Sequence, residues 1–89
     1  MAQYQILYWK HVPAQVRVFD TGKRRISRSM PARFQVEIDK IAMDEGLAGS
    51  EEYLNQWRWT PTMERPGAGE ELADALVREL EQQFDQKST

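Results

Sequence analysis

Apolar and polar positions alternate along the first third of the chain. Every second residue is apolar over positions 4–8 and again over 14–18, and Pro13 lies between the two runs. A period of two is typical of β-strands that bury one face. The pattern therefore predicts a hairpin of two strands joined by a short connection over residues 10–13.

A third strand is predicted over residues 23–29, after the turn signal Asp20-Thr21-Gly22. Its basic side chains point to both faces, which favours an edge position, because Lys and Arg at a sheet edge discourage stray strand pairing. We therefore expect this basic segment to border the sheet.

Residues 57–64 show the same period of two later in the chain. Trp57, Trp59 and Met63 fall on one side of this alternation. Pro61 lies within the run, and proline is confined to edge strands because it cannot donate a hydrogen bond to the ladder. We expect one further edge strand with both tryptophans on the same face.

Two other segments carry apolar residues at spacings of three and four, the pattern of an amphipathic helix. The first follows Pro31 and is expected to stop at Gly46, where glycine adopts the left-handed conformation readily. The second runs from about Glu70 to Phe84, and a short helical turn is expected after Ser50. The predicted buried positions are Phe34, Ile38, Ile41 and Ala42 in the first helix and Leu72, Ala73, Leu76, Val77, Leu80 and Phe84 in the second.

These elements predict a small α+β domain, with two main helices packed on one face of a mainly antiparallel sheet. At 89 residues the chain is expected to be one domain, with an ordered core over about 3–84 and a frayed tail over 85–89. The absence of cysteine excludes disulfides and thiolate metal sites. No apolar run is long enough to span a membrane, and we expect a soluble, cytoplasmic protein.

Charge is divided unevenly between the two parts of the chain. The first 34 residues hold seven of the 12 basic residues and one of the 14 acidic residues, and the net charge is −2 at pH 7. One basic and one acidic surface must therefore share a small domain. This arrangement also allows head-to-tail self-association that would weaken in high salt.

Residues that could support catalysis are sparse. His11 is the only histidine in the chain, and its neighbours Lys10 and Val12 supply neither a nucleophile nor an acid. Carboxylates crowd the first helix without an apolar pocket to raise a pKa, which favours a solvated acidic face. Gly67-Ala68-Gly69 lacks the full dinucleotide-binding pattern and precedes two glutamates that would repel a phosphate. We predict no catalytic residue, no metal and no cofactor.

Basic and aromatic side chains remain as the candidate interaction surface. Trp and Arg are enriched at protein interfaces, and the same combination on strands binds single-stranded nucleic acid. Tryptophans in a domain of this size also commonly fill the core, and the acidic second part of the chain opposes a long polyanion. The predicted surface consists of Trp9, Arg17, Arg24, Arg25, Arg28, Arg33, Trp57 and Trp59.

Several short motifs are distributed along nearly the whole chain, and each occurs once. They are Tyr8-Trp9, Pro13-Ala14-Gln15-Val16, Pro31-x-Arg33-Phe34 with Ile38-Asp39 and Ala42, and Tyr53-Leu54-x-x-Trp57. From about Gln5 to Phe84 the chain resembles a small bacterial domain family labelled virulence factor. That resemblance implies no activity, cofactor or catalytic residue. Members of that family occur alone or fused to helical repeats, which implies an accessory role, and stand-alone members accompany one-carbon and corrinoid methyltransferase enzymes.

Three functions follow as hypotheses. We expect a non-catalytic protein-interaction or accessory module of a bacterial cytoplasmic assembly, which docks onto a protein partner through the aromatic and basic sheet surface. The alternative is nucleic-acid binding through the same patch, with an affinity that falls steeply with salt. The third is a small-molecule enzyme or accessory subunit linked to one-carbon metabolism, which would depend on His11 and Tyr8.

Overall fold

A computed structural model describes residues 2–20 and 24–87, and these residues form five strands and three helices. In chain order the elements are β1 (Ala2–Trp9), β2 (Val12–Phe19), β3 (Arg25–Ser29), α1 (Ala32–Asp44), α2 (Glu51–Asn55), β4 (Trp57–Trp59), β5 (Met63–Arg65) and α3 (Gly69–Lys87). The predicted small α+β class is confirmed. Within the described ranges, no helix is long and apolar enough to cross a bilayer.

The strands form one antiparallel sheet with β1 and β2 at its centre. The order is β3-β2-β1-β4, and β5 pairs with the same side of β1 as β4 does. The third strand therefore lies at an edge, as its charges predict. Its predicted first residue, Lys23, and the turn residues Thr21 and Gly22 lie outside the described residues.

The hairpin of β1 and β2 has a tighter turn than the sequence predicts. Only Lys10 and His11 separate the strands, and Lys10 adopts a left-handed conformation with φ of 53°. Pro13 does not interrupt the strand, because it lies inside β2 opposite Tyr8. The pairing register shifts there and leaves Ala14 as an extra residue on β2. Such a β-bulge is one of the few strand positions that tolerate proline.

The predicted single strand over 57–64 is divided into β4 and β5 by a second irregularity. Three residues, Thr60 to Thr62, face only two residues of β1. The Thr60 hydroxyl accepts the Ile6 N–H at 3.0 Å, and the Thr60 N–H donates to the Ile6 carbonyl at 2.9 Å. The extra residue reverses the alternation, so Met63 lies on the opposite face from Trp59. The expectation that Met63 shares a face with the tryptophans is therefore wrong.

The two main helices follow the predicted spacing. Buried side chains of α1 are Phe34, Ile38 and Ala42. After α1 the Leu47 N–H donates to the Ala42 carbonyl at 2.7 Å, and Gly46 has a φ of 70°. This is the hydrogen-bonding pattern of a glycine-terminated helix, as predicted.

Helix α3 is longer than predicted, because it begins at Gly69 and continues to Lys87. Its buried residues are Leu72, Ala73, Leu76 and Leu80. A side chain at Gly69 would place its Cβ 2.5 Å from Ile26 Cδ1, so glycine allows α3 to begin directly against β3. Helices α1 and α3 meet where the rings of Phe34 and Phe84 pack at 4.7 Å.

Candidate interaction surface

Helix α3 lies over one face of the sheet, while the other face is largely open to solvent except at the hairpin end, where Trp9 and Val12 are buried. Arg28 lies opposite buried Val16 in the ladder and forms an ion pair with Asp74 of α3, which identifies the covered face. Residues of the opposite face alternate with these along each strand. We call this second face the outer face, and it is formed by Gln3, Gln5, Leu7, Gln15, Arg17, Phe19, Arg25, Ser27, Ser29, Trp57 and Trp59.

Arg17 is the centre of the outer face. Its guanidinium carbon lies 3.7 Å from the centroid of the Trp59 ring and 5.8 Å from that of Phe19. Arg17 Nε donates to Gln5 Oε1 at 2.9 Å, and Gln5 Nε2 donates to the Thr60 carbonyl at 2.9 Å. A planar guanidinium over an indole ring is a favourable cation–π arrangement. The side chains of three strands thus hold Arg17 in one orientation.

Trp57 lies at the border between the outer face and the core. Its ring meets the ring of Tyr53 edge-on, with centroids 6.2 Å apart and an angle of 83° between the planes. The indole is partly exposed and packs beside the core. A shallow cleft of about 300 Å³ beside it is bounded by Leu7 and by Phe34 of α1. Trp57 therefore contributes to the surface only in part.

Trp9 does not belong to this surface, contrary to the sequence prediction. The residue is 0% exposed, and its ring lies 5.4 Å from that of Tyr53. Its Nε1 donates to the Tyr53 carbonyl at 2.9 Å, which satisfies the only polar atom of the side chain. Burial follows from α2, which places Tyr53 over the end of the hairpin. Trp9 is a core residue.

The predicted arginine cluster is divided between several surfaces. Arg25 is exposed on the outer face, and within the described ranges it forms no ion pair. Arg24 is also exposed, with Asp20 3.7 Å away. The structure therefore places Arg17 and Arg25 on the same face as Trp59, with Arg24 next to them in the chain.

Arg28 and Arg33 are separated from this group by ion pairs with α3. Arg28 pairs with Asp74 at 3.2 Å on the covered face. Arg33, at the start of α1, donates to both carboxylate oxygens of Asp85 at 2.6 and 3.2 Å. This hydrogen bonding raises the pKa of Arg33 above its ordinary value. Two basic residues from the first part of the chain are therefore paired with acidic residues from the second part within the fold.

A second set of exposed side chains was not predicted. Val36 and Met43 of α1 are 65% and 73% exposed, and Leu54 of α2 is 65% exposed. Val36 and Met43 are seven residues apart, a spacing that places them on one side of a helix, away from the buried stripe. The sequence contained one signal for this surface, because Val36 and Met43 are apolar residues on the predicted polar side of α1. They form a second exposed apolar surface, and an experiment on docking must distinguish it from the outer face.

Tyr8 and His11, the two groups named for the enzyme hypothesis, line the same two clefts. His11 is exposed in the hairpin turn, and in the described part of the chain it has no hydrogen bond or ion pair. Burial, and to a smaller extent Tyr4, raise the pKa of Tyr8, which keeps this phenol protonated at neutral pH. Residues 2–20 and 24–87 contain no group of three His, Asp or Glu side chains that could hold a metal ion.

Comparison with known proteins identifies a family but no function. A family model described as "Virulence factor" matches residues 7–88, which confirms the resemblance predicted from the motifs. The matched range begins within β1 and includes all the later elements, so it contains most of the outer face. No curated protein and no solved structure matches the chain.

Proposed function

Because the chain belongs to the virulence factor family, whose description names no activity, we propose a function from the site itself. The protein is a non-catalytic interaction or accessory module of a bacterial cytoplasmic assembly, and it docks onto a protein partner through the outer face. The single observation that carries this proposal is the Arg17 guanidinium held 3.7 Å above the half-buried Trp59 ring on an open sheet face.

The arrangement of Arg17 and Trp59 has the properties of an interface hot spot. Aromatic and Arg side chains supply most of the binding energy at protein interfaces. Side chains that are already fixed lose little conformational entropy on binding. Arg17 is fixed by Gln5 and by the indole, so its conformation is set before a partner arrives. Arg25 adds an exposed positive charge on β3, the strand next to that of Arg17, which favours a partner with acidic side chains.

Nucleic-acid binding is the second candidate, because an arginine beside exposed aromatic rings on a sheet can also hold a base. The distribution of charge favours it less. Arg28 and Arg33 already pair with carboxylates of α3. Glu64 is exposed opposite Gln3, at the side of the outer face. A long polyanion would therefore meet few available cations on this face and one carboxylate.

Affinity purification of the tagged protein from its native host tests the proposal. We expect a stoichiometric protein partner that survives nuclease treatment and is lost from the double variant Arg25→Ala, Trp59→Ala. The matched control is Val36→Ser, Met43→Ser, which removes exposed apolar side chains from α1 and should retain the partner. Far-UV circular dichroism checks that both variants are folded.

Two results would contradict the proposal. Loss of the partner from the α1 variant, with retention by the outer-face variant, would place the docking surface on α1. Recovery that vanishes with nuclease, and an affinity that falls steeply between low and high salt, would favour nucleic acid instead.

A further inference from the structure

A cleft of about 850 Å³ lies beside β4, on the edge of the sheet that carries Trp59. Its walls include Tyr8, His11, Asn55, Arg58, Trp59 and Pro61. Tyr8 and Arg58 are directly opposite each other in the β1–β4 ladder, so their side chains leave the same face. His11 reaches the cleft from the hairpin turn, and Asn55 reaches it from the end of α2. The cleft is thus built where four elements of the fold meet.

Four polar side chains of this cleft have no partner in the part of the chain that the structure describes. Among residues 2–20 and 24–87, none of the side chains of Tyr8, His11, Asn55 and Arg58 forms a hydrogen bond or an ion pair. A phenol, an imidazole, an amide and a guanidinium can all donate hydrogen bonds. Partial burial raises the pKa of Tyr8, so its hydroxyl stays a donor. Four potential donors therefore line one cleft, and none of them is occupied by an acceptor from the described residues.

Charge in this cleft also favours an anionic ligand. No Asp or Glu lines it, although the chain contains 14 acidic residues. Lys10 adds a second cation to its wall and is paired with Glu45. Glu37 lies in an adjoining cleft of about 450 Å³, which shares Tyr8 and His11 with the first. Positive side chains on a concave surface without carboxylates concentrate anions.

The remaining walls determine what kind of anion fits. Pro61 and the ring of Tyr8 supply apolar surface, and a volume of about 850 Å³ exceeds the need of an inorganic ion. Pockets of a few hundred to about 1,000 Å³ with apolar walls and a few polar groups are typical of organic ligands. We propose that this cleft binds a small organic anion, with its phosphate or carboxylate group on Arg58 and the Tyr8 hydroxyl and its apolar body against Pro61.

Titration of the isotopically labelled full chain by NMR tests the cleft, with phenyl phosphate as the probe. We expect the amide signals of Tyr8, His11 and Arg58 to shift with a dissociation constant of about 1 mM or lower. Arg58→Gln should weaken binding by about tenfold or more, because a charge-assisted hydrogen bond is lost. The matched control Arg78→Gln removes an exposed arginine of α3 and should bind as the unmodified protein does.

Three outcomes would overturn the proposal. They are the absence of shifts at about 10 mM probe, equal binding by the Arg58→Gln variant, and equal binding of uncharged phenol. Equally tight binding of inorganic phosphate would contradict the organic class of the ligand. The test is independent of the proposed docking function, since Arg58→Gln should still recover the protein partner, and Arg25→Ala removes an outer-face side chain that does not line this cleft.

Discussion

Two tryptophans with adjacent cations behave differently in this small sheet. At the hairpin end, Lys10 Nζ lies 5.7 Å from the centroid of Trp9, and on the outer face Arg17 Cζ lies 3.7 Å from that of Trp59. Trp9 is fully buried, whereas Trp59 is half-buried. Trp59 lies opposite Leu7, which is only two residues from Trp9 in the same strand. The change from core to surface therefore occurs over one repeat of the β-ladder.

The difference shows that the elements packed on a strand, more than the sequence of the strand itself, decide whether an aromatic residue is buried or exposed. Helix α2 places Tyr53 against Trp9, and the Tyr53 carbonyl satisfies the indole N–H. No such cover reaches Trp59, which instead stacks with a side chain of its own sheet. Trp9 therefore belongs to the core, while part of the Trp59 ring stays exposed on the outer face.

The largest expected effect is the difference in stability between alanine variants of these two tryptophans. Trp9→Ala should lower the free energy of unfolding by about 3–5 kcal/mol, the usual loss for a buried aromatic side chain. Trp59→Ala should lower it by about 1 kcal/mol or less, because the ring is already half-exposed. Urea denaturation followed by circular dichroism measures both. Equal losses would show that Trp59 is as structural as Trp9.

The bulge between β4 and β5 provides the next test, since it puts Trp59 and Met63 on opposite faces. Thr60→Val keeps the shape of the side chain but removes the hydroxyl that accepts the Ile6 N–H. A partly buried amide without a partner should cost about 1–3 kcal/mol of unfolding free energy. Thr62→Val is the matched control, because Thr62 is exposed in the same bulge, and it should change stability by about 0.5 kcal/mol or less. A loss of equal size in both variants would contradict this role of Thr60.

A smaller effect measures the contact between Arg17 and Trp59 itself. A double-mutant cycle with Arg17→Ala and Trp59→Ala should give a coupling energy of about 0.5–1 kcal/mol, as for exposed cation–π pairs. The same cycle with Arg25→Ala in place of Arg17→Ala should give a coupling near zero. Additive effects of Arg17→Ala and Trp59→Ala would mean that the stacked pair is not formed in solution.

The smallest effect concerns the covered face, where Arg65 donates to both carboxylate oxygens of Glu79 at 3.0 and 2.6 Å. These hydrogen bonds lower the pKa of Glu79 in the folded protein. The pair therefore stabilises the fold above the ordinary Glu pKa, and the contribution is lost as the pH falls through the lowered value. Since both side chains are partly exposed, the contribution should stay below about 1 kcal/mol.

Glu79→Gln tests this pH dependence. The variant should be slightly less stable than the unmodified protein at about pH 7, and the difference should shrink as the pH falls through the lowered pKa of Glu79, because the carboxylate then becomes protonated in the folded state as well. A difference that stays constant over this range would show that the charge of Glu79 contributes nothing.

Local patterns in the sequence predicted the elements of this fold well. The period of two in β1 and β2, the spacing of Phe34 and Ile38, and the glycine stop at Gly46 all depend on neighbouring residues, and all are confirmed. The bulges were missed, because an extra residue in a strand is defined by the partner strand. That is why Met63 lies on the face opposite to the prediction.

The candidate surface was predicted only in part, for the same physical reason. Trp9 and Trp59 both fit an alternating strand, and Trp9 alone of the two contacts Tyr53, which lies 44 residues after it in the chain. Arg28 and Arg33 look like members of a basic cluster until the acids of α3 pair with them. Contacts between residues so distant in sequence carry no local signal.

Site-specific photo-crosslinking in the native host tests the central claim most directly. A photoreactive phenylalanine analogue would replace exposed Ser27 on the outer face and, in a second variant, exposed Gln82 on α3. We predict that the Ser27 variant crosslinks to one protein in near-stoichiometric yield, that Trp59→Ala reduces this yield, and that the Gln82 variant gives no such product. A crosslink from Gln82 with none from Ser27 would contradict docking through the outer face.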